Sequence, residues 1–295
     1  MKKILFGTLL AGALLLAGCG AGGTDTGSSS SSKAAEDTKI VAAGSTALQP
    51  LVDAASESFQ EENAGYNISV QGGGSGLGLS QVSSKSVTIG NSDLFAEEKS
   101  GVDASKLVDH KVAVVGVAPV VNNDTGVKDL TKDQLKDIFS GKVTNWKDVG
   151  GKDVKIEVVN RAEGSGTRFN FEKYALDDIK VAQSQEQDSS GTVRQIVSST
   201  PGAISYLAFS YFDDSLTPLS IDGVEPKEEN VQTNDWKIWS YEHMYTNGEP
   251  NEGTKKFIDY ILSPAIQKEQ VKKLGYLSVS DMKVERDAEG KVTKK

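Results

Sequence analysis

The stretch VVNRAEGSGTR, residues 158–168, sets the pattern for the rest of the chain. Two valines end a predicted strand, a turn rich in Gly and Ser follows, and a helix is predicted over 165–175. Glycines let backbone N–H groups approach a ligand closely, and a helix N-terminus offers unpaired donors with a partial positive charge. Such a turn can hold an oxyanion, and Arg161 adds a full positive charge.

Two further clusters of Gly, Ser and Thr lie between a predicted strand and a predicted helix, at 43–47 (AGSTA) and 71–76 (QGGGSG). One such cluster is more often only a turn before a capped helix, but three in one chain point to a shared anion site. None has the Gly-Lys-Ser/Thr ending of a nucleotide-binding phosphate loop. A fourth strand end, 89–93 (IGNSD), carries Asp93, whose alternative role is to cap the helical stretch near Ala96.

The body of the chain alternates predicted strands and helices, which is typical of an α/β fold with strands covered by helices. Strands are predicted at 39–43, 67–70, 87–89, 112–121, 154–159 and 203–207. Helices are predicted at 48–62, 131–139, 165–175, 193–198, 254–262 and 264–274. The charged tail from residue 283 is predicted to be frayed.

The N-terminus has the features of a bacterial lipoprotein signal. Two lysines precede an apolar run over 4–16, which is too short to span a membrane. Residues 16–19 (LAGC) resemble a lipobox, which implies that 1–18 are a signal peptide and that Cys19, the only cysteine, is lipidated. The alternative is an ordinary secretory signal. Residues 19–37 are predicted to be a flexible tether rich in Gly and Ser, and the body to lie outside the cell.

The negative net charge and the small number of histidines argue against several functions. The formal net charge of -9 argues against nucleic acid as a partner, because a phosphate backbone calls for a basic face. A small anion remains compatible, since a buried site is governed by local dipoles and one or two charges. His110 and His243 are the only histidines, so neither a zinc site nor another metal or cofactor is expected.

The motifs, taken in order, resemble the phosphate-binding lipoproteins that serve as substrate-binding proteins of Pst-type, high-affinity phosphate ABC transporters. The resemblance covers about residues 40–276, including the segment 191–206, and its most specific element is Arg-x-x-Gly-Ser-Gly-Thr at 161–167. It implies inorganic phosphate as the ligand, and the permease and ATPase subunits of the transporter as partners at the cell membrane. It implies no enzymatic activity.

The resemblance also implies an α/β, two-lobed periplasmic-binding-protein fold of type II, with the ligand in the cleft between lobes. The chain would cross between lobes near 116–120 and again near 239–244. Lobe 1 would then comprise 38–117 and 242–295, and lobe 2 would comprise 118–241.

The resemblance assigns a role to each motif residue. Thr46 and Ala47 would donate from a hydroxyl and a backbone N–H, and Ser75 from both kinds of group. Arg161 would make charge-assisted bonds to two phosphate oxygens, oriented by Glu163, where the family often has Asp. The other implied donors are Ser165, Gly166 and Thr167, supported by Gly74 and Gly164.

Asp93 is the one implied acceptor, and its role is selectivity. An ionised carboxylate only accepts hydrogen bonds, so it can pair with a protonated phosphate. Sulfate carries no proton near neutral pH and would leave a buried lone pair opposite the carboxylate without a donor. We therefore expect phosphate and arsenate to be accepted and sulfate to be rejected.

Several residues near the motifs have simpler expected roles. Arg168 is expected to pair with Glu172 one helical turn on, and Ser190 and Thr192 are expected to cap a helix. The tryptophans are expected to pack inside the lobes; they are Trp146, Trp236 and Trp239.

Two alternative functions stay open. The first is binding of another tetrahedral oxyanion, such as sulfate or molybdate, against which Asp93 argues. The second is a phosphatase or serine hydrolase that uses Ser165 as its nucleophile. That chemistry needs a base to activate the serine, and neither histidine lies in a recognisable motif.

Overall fold

The structure is a computed structural model that describes residues 37–295. The predicted signal peptide, Cys19 and residues 19–36 of the predicted tether lie outside the described residues. Within residues 37–295, no helix is both long and apolar enough to cross a lipid bilayer.

Strands and helices alternate along most of the described chain. The strands are β1 Lys39–Gly44, β2 Asn67–Gln71, β3 Ile89–Ser92, β4 Leu107–Asn122, β5 Asp129–Leu130, β6 Glu157–Arg161, β7 Gln185–Gln187, β8 Ala203–Ala208, β9 Leu216–Pro218, β10 Ser220–Ile221, β11 Trp239–Asn247, β12 Val284–Arg286 and β13 Val292–Lys294. The helices are α1 Gln49–Glu62, α2 Ser75–Ser83, α3 Lys132–Phe139, α4 Gly166–Ala175, α5 Ser190–Ser199, α6 Glu228–Gln232, α7 Glu252–Ile261, α8 Pro264–Lys268 and α9 Gln270–Lys273.

The 16-residue strand β4 runs through both halves of the molecule. Up to Gly116 it pairs with β11, which closes a sheet of order β2-β1-β3-β11-β4. From Val117 it pairs with β8, in a sheet that continues through β6 to β7. The short strand β9 pairs with the last three residues of β4. We call these two sheets, with their helices, the first and second lobes. The backbone N–H of Val117 donates to Ile238 O at 2.9 Å, so β4 and the start of β11 cross between lobes side by side.

Parallel pairing brings the sequence clusters to one edge of each sheet. In the first lobe β1 is parallel to β2 and β3, and in the second lobe β6 is parallel to β7 and β8. The carboxyl ends of parallel strands are where ligands bind in α/β folds. At Gly44, with φ of 135°, a Cβ would lie 2.2 Å from Asn91 O, so only glycine allows β1 and β3 to end together.

Each lobe has its own apolar core. In the first lobe α1 packs against α7, with Phe59 edge-on to Phe257 (ring centroids 5.3 Å apart). In the second lobe Phe171 stacks on Tyr206 (centroids 4.1 Å apart). The prediction for the tryptophans is confirmed, because all are buried in the second core; they are Trp146, Trp236 and Trp239.

The prediction of a frayed C-terminal tail is wrong. Residues from 284 form an antiparallel hairpin, β12 with β13. Arg286 is buried, with its guanidinium carbon 3.9 Å from the ring centroid of Tyr174 and 4.0 Å from that of Trp239. A charged residue at the chain end therefore orders the tail by stacking between two rings, a contact with distant partners that the local charge pattern does not indicate.

Two other elements differ from the sequence prediction. The helix predicted over 264–274 is divided at Glu269 into α8 and α9. The strand β11 was predicted only as a crossing near 239–244, but it is nine residues long and lies between β3 and β4 in the first sheet.

Candidate functional site

Four helix N-termini converge where the two lobes meet. The helices are α1 and α2 from the first lobe, and α4 and α5 from the second. Ser75 is the first residue of α2, and Ser165 caps α4 by accepting a hydrogen bond from Arg168 N at 3.2 Å. The backbone N–H of Gly76 donates to Gly164 O at 2.9 Å across the cleft. Four positive helix ends around one point favour a bound anion.

Asp93 lies at the junction of the lobes and is only 4% exposed. One carboxylate oxygen accepts from Ser45 Oγ in the first lobe, and the other accepts from Thr167 Oγ1 in the second lobe at 2.9 Å. Its backbone N–H donates to Ser75 Oγ at 3.0 Å, and its carbonyl accepts from Asn170 Nδ2 at 2.9 Å. Asp93 caps no helix, so the capping alternative is wrong.

Arg161 brings a positive charge to this junction and is only 1% exposed. Its Nη1 donates to Ser190 Oγ and one Nη2 bond goes to Thr46 Oγ1, each at 3.0 Å. Burial lowers the pKa of its guanidinium. Within residues 37–295, no carboxylate forms an ion pair with Arg161.

The orienting role expected of Glu163 is wrong. Glu163 is exposed in the turn and forms no ion pair with Arg161 within the described part of the chain. Backbone carbonyls hold the guanidinium in its place: Nε donates to Gln187 O at 3.1 Å and Nη2 donates to Asp188 O at 2.9 Å. Carbonyl oxygens orient the arginine without neutralising its charge, which an acidic partner would do.

Arg168 pairs with Glu172, as predicted, at 2.7 Å between Nε and Oε1. Its Nη1 also donates to Arg161 O at 2.7 Å, so it supports the strand end that carries Arg161.

Ser190 belongs to the junction, although the sequence indicated only a capping role. The cap of α5 is Ser189, whose Oγ accepts from Thr192 N at 3.1 Å. Ser190 Oγ lies 3.1 Å from Thr46 Oγ1 and accepts from Arg161. The two adjacent serines are equally good caps by residue type, so the sequence does not say which one faces the cleft.

The loop that carries Thr46 and Ala47 is held by neighbouring hydroxyls. Ser45 Oγ accepts from the backbone N–H groups of Ala47 and Leu48, each at 3.0 Å, so the donor implied at Ala47 is engaged within the loop. Tyr211 donates to Thr46 O at 2.6 Å, and burial raises the pKa of Tyr211 to about 12.

The implied glycines lie where the lobes approach most closely. A Cβ on Gly166 would lie 2.3 Å from Ser75 Oγ and 2.9 Å from the Cβ of Asp93. A Cβ on Gly74, whose φ is 91°, would lie 3.0 Å from Gly164 O. No side chain fits at Gly166 without moving the lobes apart, so this glycine sets how far the cleft closes.

Comparison with known proteins identifies the family. Residues 29–265 match the model of the PBP superfamily domain. The chain is 54% identical over 294 residues to the phosphate-binding protein PstS of Bacillus subtilis (strain 168), with 98% of both chains covered. It is 29% identical over 279 residues to PstS of Staphylococcus saprophyticus, covering 88% of this chain and 85% of that one. The chain belongs to the PstS family of the PBP superfamily.

Solved structures agree with membership of the PstS family. The substrate-binding protein of a phosphate ABC transporter from Clostridium perfringens, solved with bound phosphate, superposes with a TM-score of 0.74 at 32% identity, over 82% of this chain and 99% of that one. A phosphate transport receptor from Vibrio cholerae gives a TM-score of 0.66 at 27% identity, over 81% and 99%. The predicted periplasmic-binding-protein fold is confirmed.

A further buried residue of this PstS family member was not predicted to belong to the site. Glu242 in β11 has no exposed surface. Its pKa is raised well above the ordinary value by burial first and by the charge of Asp93 second. Nothing in its sequence surroundings, SYEHMYT, marks it as a site residue.

Proposed function

We propose that the protein captures inorganic phosphate outside the cytoplasm and delivers it to the permease and ATPase subunits of an ABC transporter. The observation that carries the proposal is Arg161, which is buried yet forms no ion pair with any carboxylate of residues 37–295. A buried charge without a partner is costly, and an anion in the cleft would supply the partner. The PstS relatives and the phosphate-bound structural neighbour support phosphate as that anion.

The groups around Arg161 suit a small, dehydrated oxyanion. Hydroxyls of Thr46 and Ser75 and the N-terminal N–H groups of α2 and α4 lie on both sides of the junction. Donors from both lobes can bind different oxygens of one ion, so binding favours the closed cleft. Arg161 can form two charge-assisted bonds to the ion because its guanidinium is a planar fork.

Asp93 accounts for the choice of anion. A carboxylate offers about four acceptor positions, and Ser45 and Thr167 take one on each oxygen. The acceptor positions that remain can bind the proton of a phosphate hydroxyl, but they repel the bare oxygens of sulfate. A site built around a hydrogen bond rejects an analogue without the donor by factors of up to about 10⁵.

Calorimetry with phosphate, arsenate and sulfate tests this proposal. We expect tight binding of phosphate, binding of arsenate, and no heat from sulfate. Asp93→Asn should keep phosphate binding and gain sulfate binding, because the amide can donate to sulfate. Equal affinity of the unaltered protein for both anions would refute the proposal for Asp93, and failure to bind phosphate would refute the function.

We propose binding without catalysis. A serine hydrolase needs a base hydrogen-bonded to its nucleophile. Ser165 Oγ instead accepts from a backbone N–H, and no described hydrogen bond joins it to a histidine. Release of the chromophore from a phosphate ester, abolished by Ser165→Ala, would reverse this assignment.

The division into lobes 38–117 with 242–295 and 118–241, and the lipid anchor on Cys19, are part of the same proposal. The lipobox and the Gly- and Ser-rich residues 19–37 support the anchor. A tether would hold the receptor near its permease at a raised local concentration. Mass spectrometry of the membrane fraction should find Cys19 diacylated, and Cys19→Ser should release the protein into the medium.

A further inference from the structure

Glu242 lies beside an irregularity in the pairing of β11 with β4. It lies opposite Ala113 of β4, whereas the next residue, His243, lies opposite Lys111, so β4 carries one extra residue at Val112. The carbonyl of Val112 accepts from Gln267 Nε2 at 2.9 Å, which keeps the extra residue bonded. Bulges of this kind redirect side chains beside functional sites.

The surroundings of the Glu242 carboxyl contain acidic and neutral groups. Neither of its oxygens receives a hydrogen bond from an N–H or O–H donor among the described residues. Asp93 is its neighbour across the sheet, because β11 is antiparallel to β3 and pairs His243 with Ser92, which places Glu242 opposite Asp93. The phenol of Tyr276, which donates to Ala47 O, is a further neighbour. Arg161 is bonded to Thr46 and Ser190 and forms no ion pair with Glu242.

Two buried carboxyls that lie opposite each other on neighbouring strands favour one shared proton, because two negative charges repel strongly away from solvent. The proton belongs on the carboxyl whose ionised form is less well solvated. Asp93 accepts hydrogen bonds from Ser45 and Thr167, whereas Glu242 accepts none within the described residues. Hydrogen bonds to a charged form stabilise it, so the proton belongs on Glu242, which receives none.

We propose that Glu242 is a positioning residue for anion selection: a neutral carboxylic acid that donates its proton to Asp93 in a hydrogen bond and fixes the direction of the acceptor that Asp93 offers to the ligand. The inference rests on the proposed function. Ser45 and Thr167 fill two of about four acceptor positions on Asp93, and the proton of Glu242 would fill a third. One position remains for the ligand, and it demands one ligand proton.

Two substitutions of similar volume separate donation from packing. Glu242→Gln keeps a neutral N–H donor toward Asp93, and Glu242→Met removes it. We expect the Gln variant to bind phosphate like the unaltered protein and to reject sulfate. The Met variant should bind phosphate about 10- to 100-fold more weakly, which is the loss of one hydrogen bond to a charged group, and should discriminate less against sulfate.

The controls and the contradicting outcomes are specific. Exposed Glu249, just beyond β11, serves as the matched control, and Glu249→Gln should change neither affinity. Circular dichroism and thermal melting establish that each variant is folded. Equal behaviour of the Gln and Met variants would refute the donor role. A sharp gain in phosphate affinity in the Gln variant would mean that Glu242 is ionised and repels the ligand.

Infrared difference spectroscopy reads the proton directly and without ligand. The spectrum of the unaltered protein minus that of Glu242→Gln at neutral pH should contain the C=O stretching band of a protonated carboxylic acid. Carboxylate bands in its place would overturn the proposal. Because this readout needs no phosphate, it stands even if calorimetry refutes the proposed function, and the two failures are distinguishable.

Discussion

Arg161 and the serines around it define the site at the scale of the residue. The guanidinium is fixed by the carbonyls of Gln187 and Asp188, so its remaining N–H groups already point at the hydroxyls of Thr46 and Ser190. A group that is oriented before the ligand arrives loses little freedom on binding. The site therefore requires the planar shape of the arginine side chain as well as its positive charge.

Arg161→Lys should test shape against charge. Lysine keeps the positive charge but cannot satisfy two carbonyls and two hydroxyls from one plane. We expect phosphate affinity to fall about 100-fold, because the lysine would leave carbonyl and hydroxyl groups beside the bound phosphate without their hydrogen bonds. Calorimetry measures the loss, and an affinity within a few-fold of the original would show that charge alone suffices.

The adjacent serines Ser189 and Ser190 should respond in opposite ways. Ser189→Ala removes the cap of α5 and should cost about 1 kcal/mol of folding stability with little change in affinity. Ser190→Ala removes the hydroxyl beside Arg161 and should weaken phosphate binding about tenfold with little change in stability. Denaturant unfolding and calorimetry on both variants measure the two effects. A similar loss of affinity in both would contradict the assignment.

At the scale of the element, the start of α4 decides how closely the lobes meet. Gly166→Ala places a methyl group 2.3 Å from Ser75 Oγ, so the cleft cannot close fully. We expect phosphate affinity to fall at least tenfold while each lobe remains folded, because the clash lies between the lobes. Small-angle scattering with phosphate should find a more open shape than for the unaltered protein.

Gly191 in the first turn of α5 is the matched control for Gly166. A Cβ added at Gly191 would lie 3.9 Å from Ser189 Oγ, which is an ordinary van der Waals contact. Gly191→Ala should leave affinity unchanged and stabilise the helix by about 0.5–1 kcal/mol. Equal losses in the two variants would contradict the steric account.

The C-terminal hairpin is a second element with a testable contribution. Arg286 stacks between Tyr174 and Trp239 and donates to the carbonyls of Trp239 and Lys237. Arg286→Ala should lower the free energy of unfolding by about 2–4 kcal/mol, from the lost ring stacking and the unpaired carbonyls. Exposed Lys294→Ala is the control, and a loss below 1 kcal/mol in Arg286→Ala would mean that the tail is dispensable.

At the scale of the whole molecule, one ion pair outside the anion site joins the lobes. Lys173 Nζ in α4 lies 2.8 Å from Oε1 of Glu98, which follows β3. Lys173→Met should raise the dissociation rate of phosphate about fivefold, because a partly buried pair of about 1 kcal/mol no longer holds the cleft closed. Stopped-flow competition measures the rate, and Lys147→Met, which breaks the Lys147–Asp153 pair, should leave it unchanged.

The sequence predicted the strand-turn-helix units well because the causes are local. Hydrophobic spacing, glycines and caps around Ser75, Arg161 and Ser165 depend only on near neighbours in the chain. Ser190 and Glu242 were missed for the opposite reason. Whether a serine caps or faces a cleft, and whether a buried glutamate meets Asp93, depends on strands paired across more than a hundred residues.

The depth of the site also determines how the protein responds to salt. Arg161 and Asp93 are 1% and 4% exposed, and dissolved ions screen buried charges far less than exposed ones. The rate of phosphate release should therefore be almost independent of ionic strength. The rate of capture should rise with salt, because a net charge of -9 repels an approaching anion until it is screened. A receptor whose medium varies in ionic strength would then keep a captured ligand for the same time in dilute and in saline surroundings.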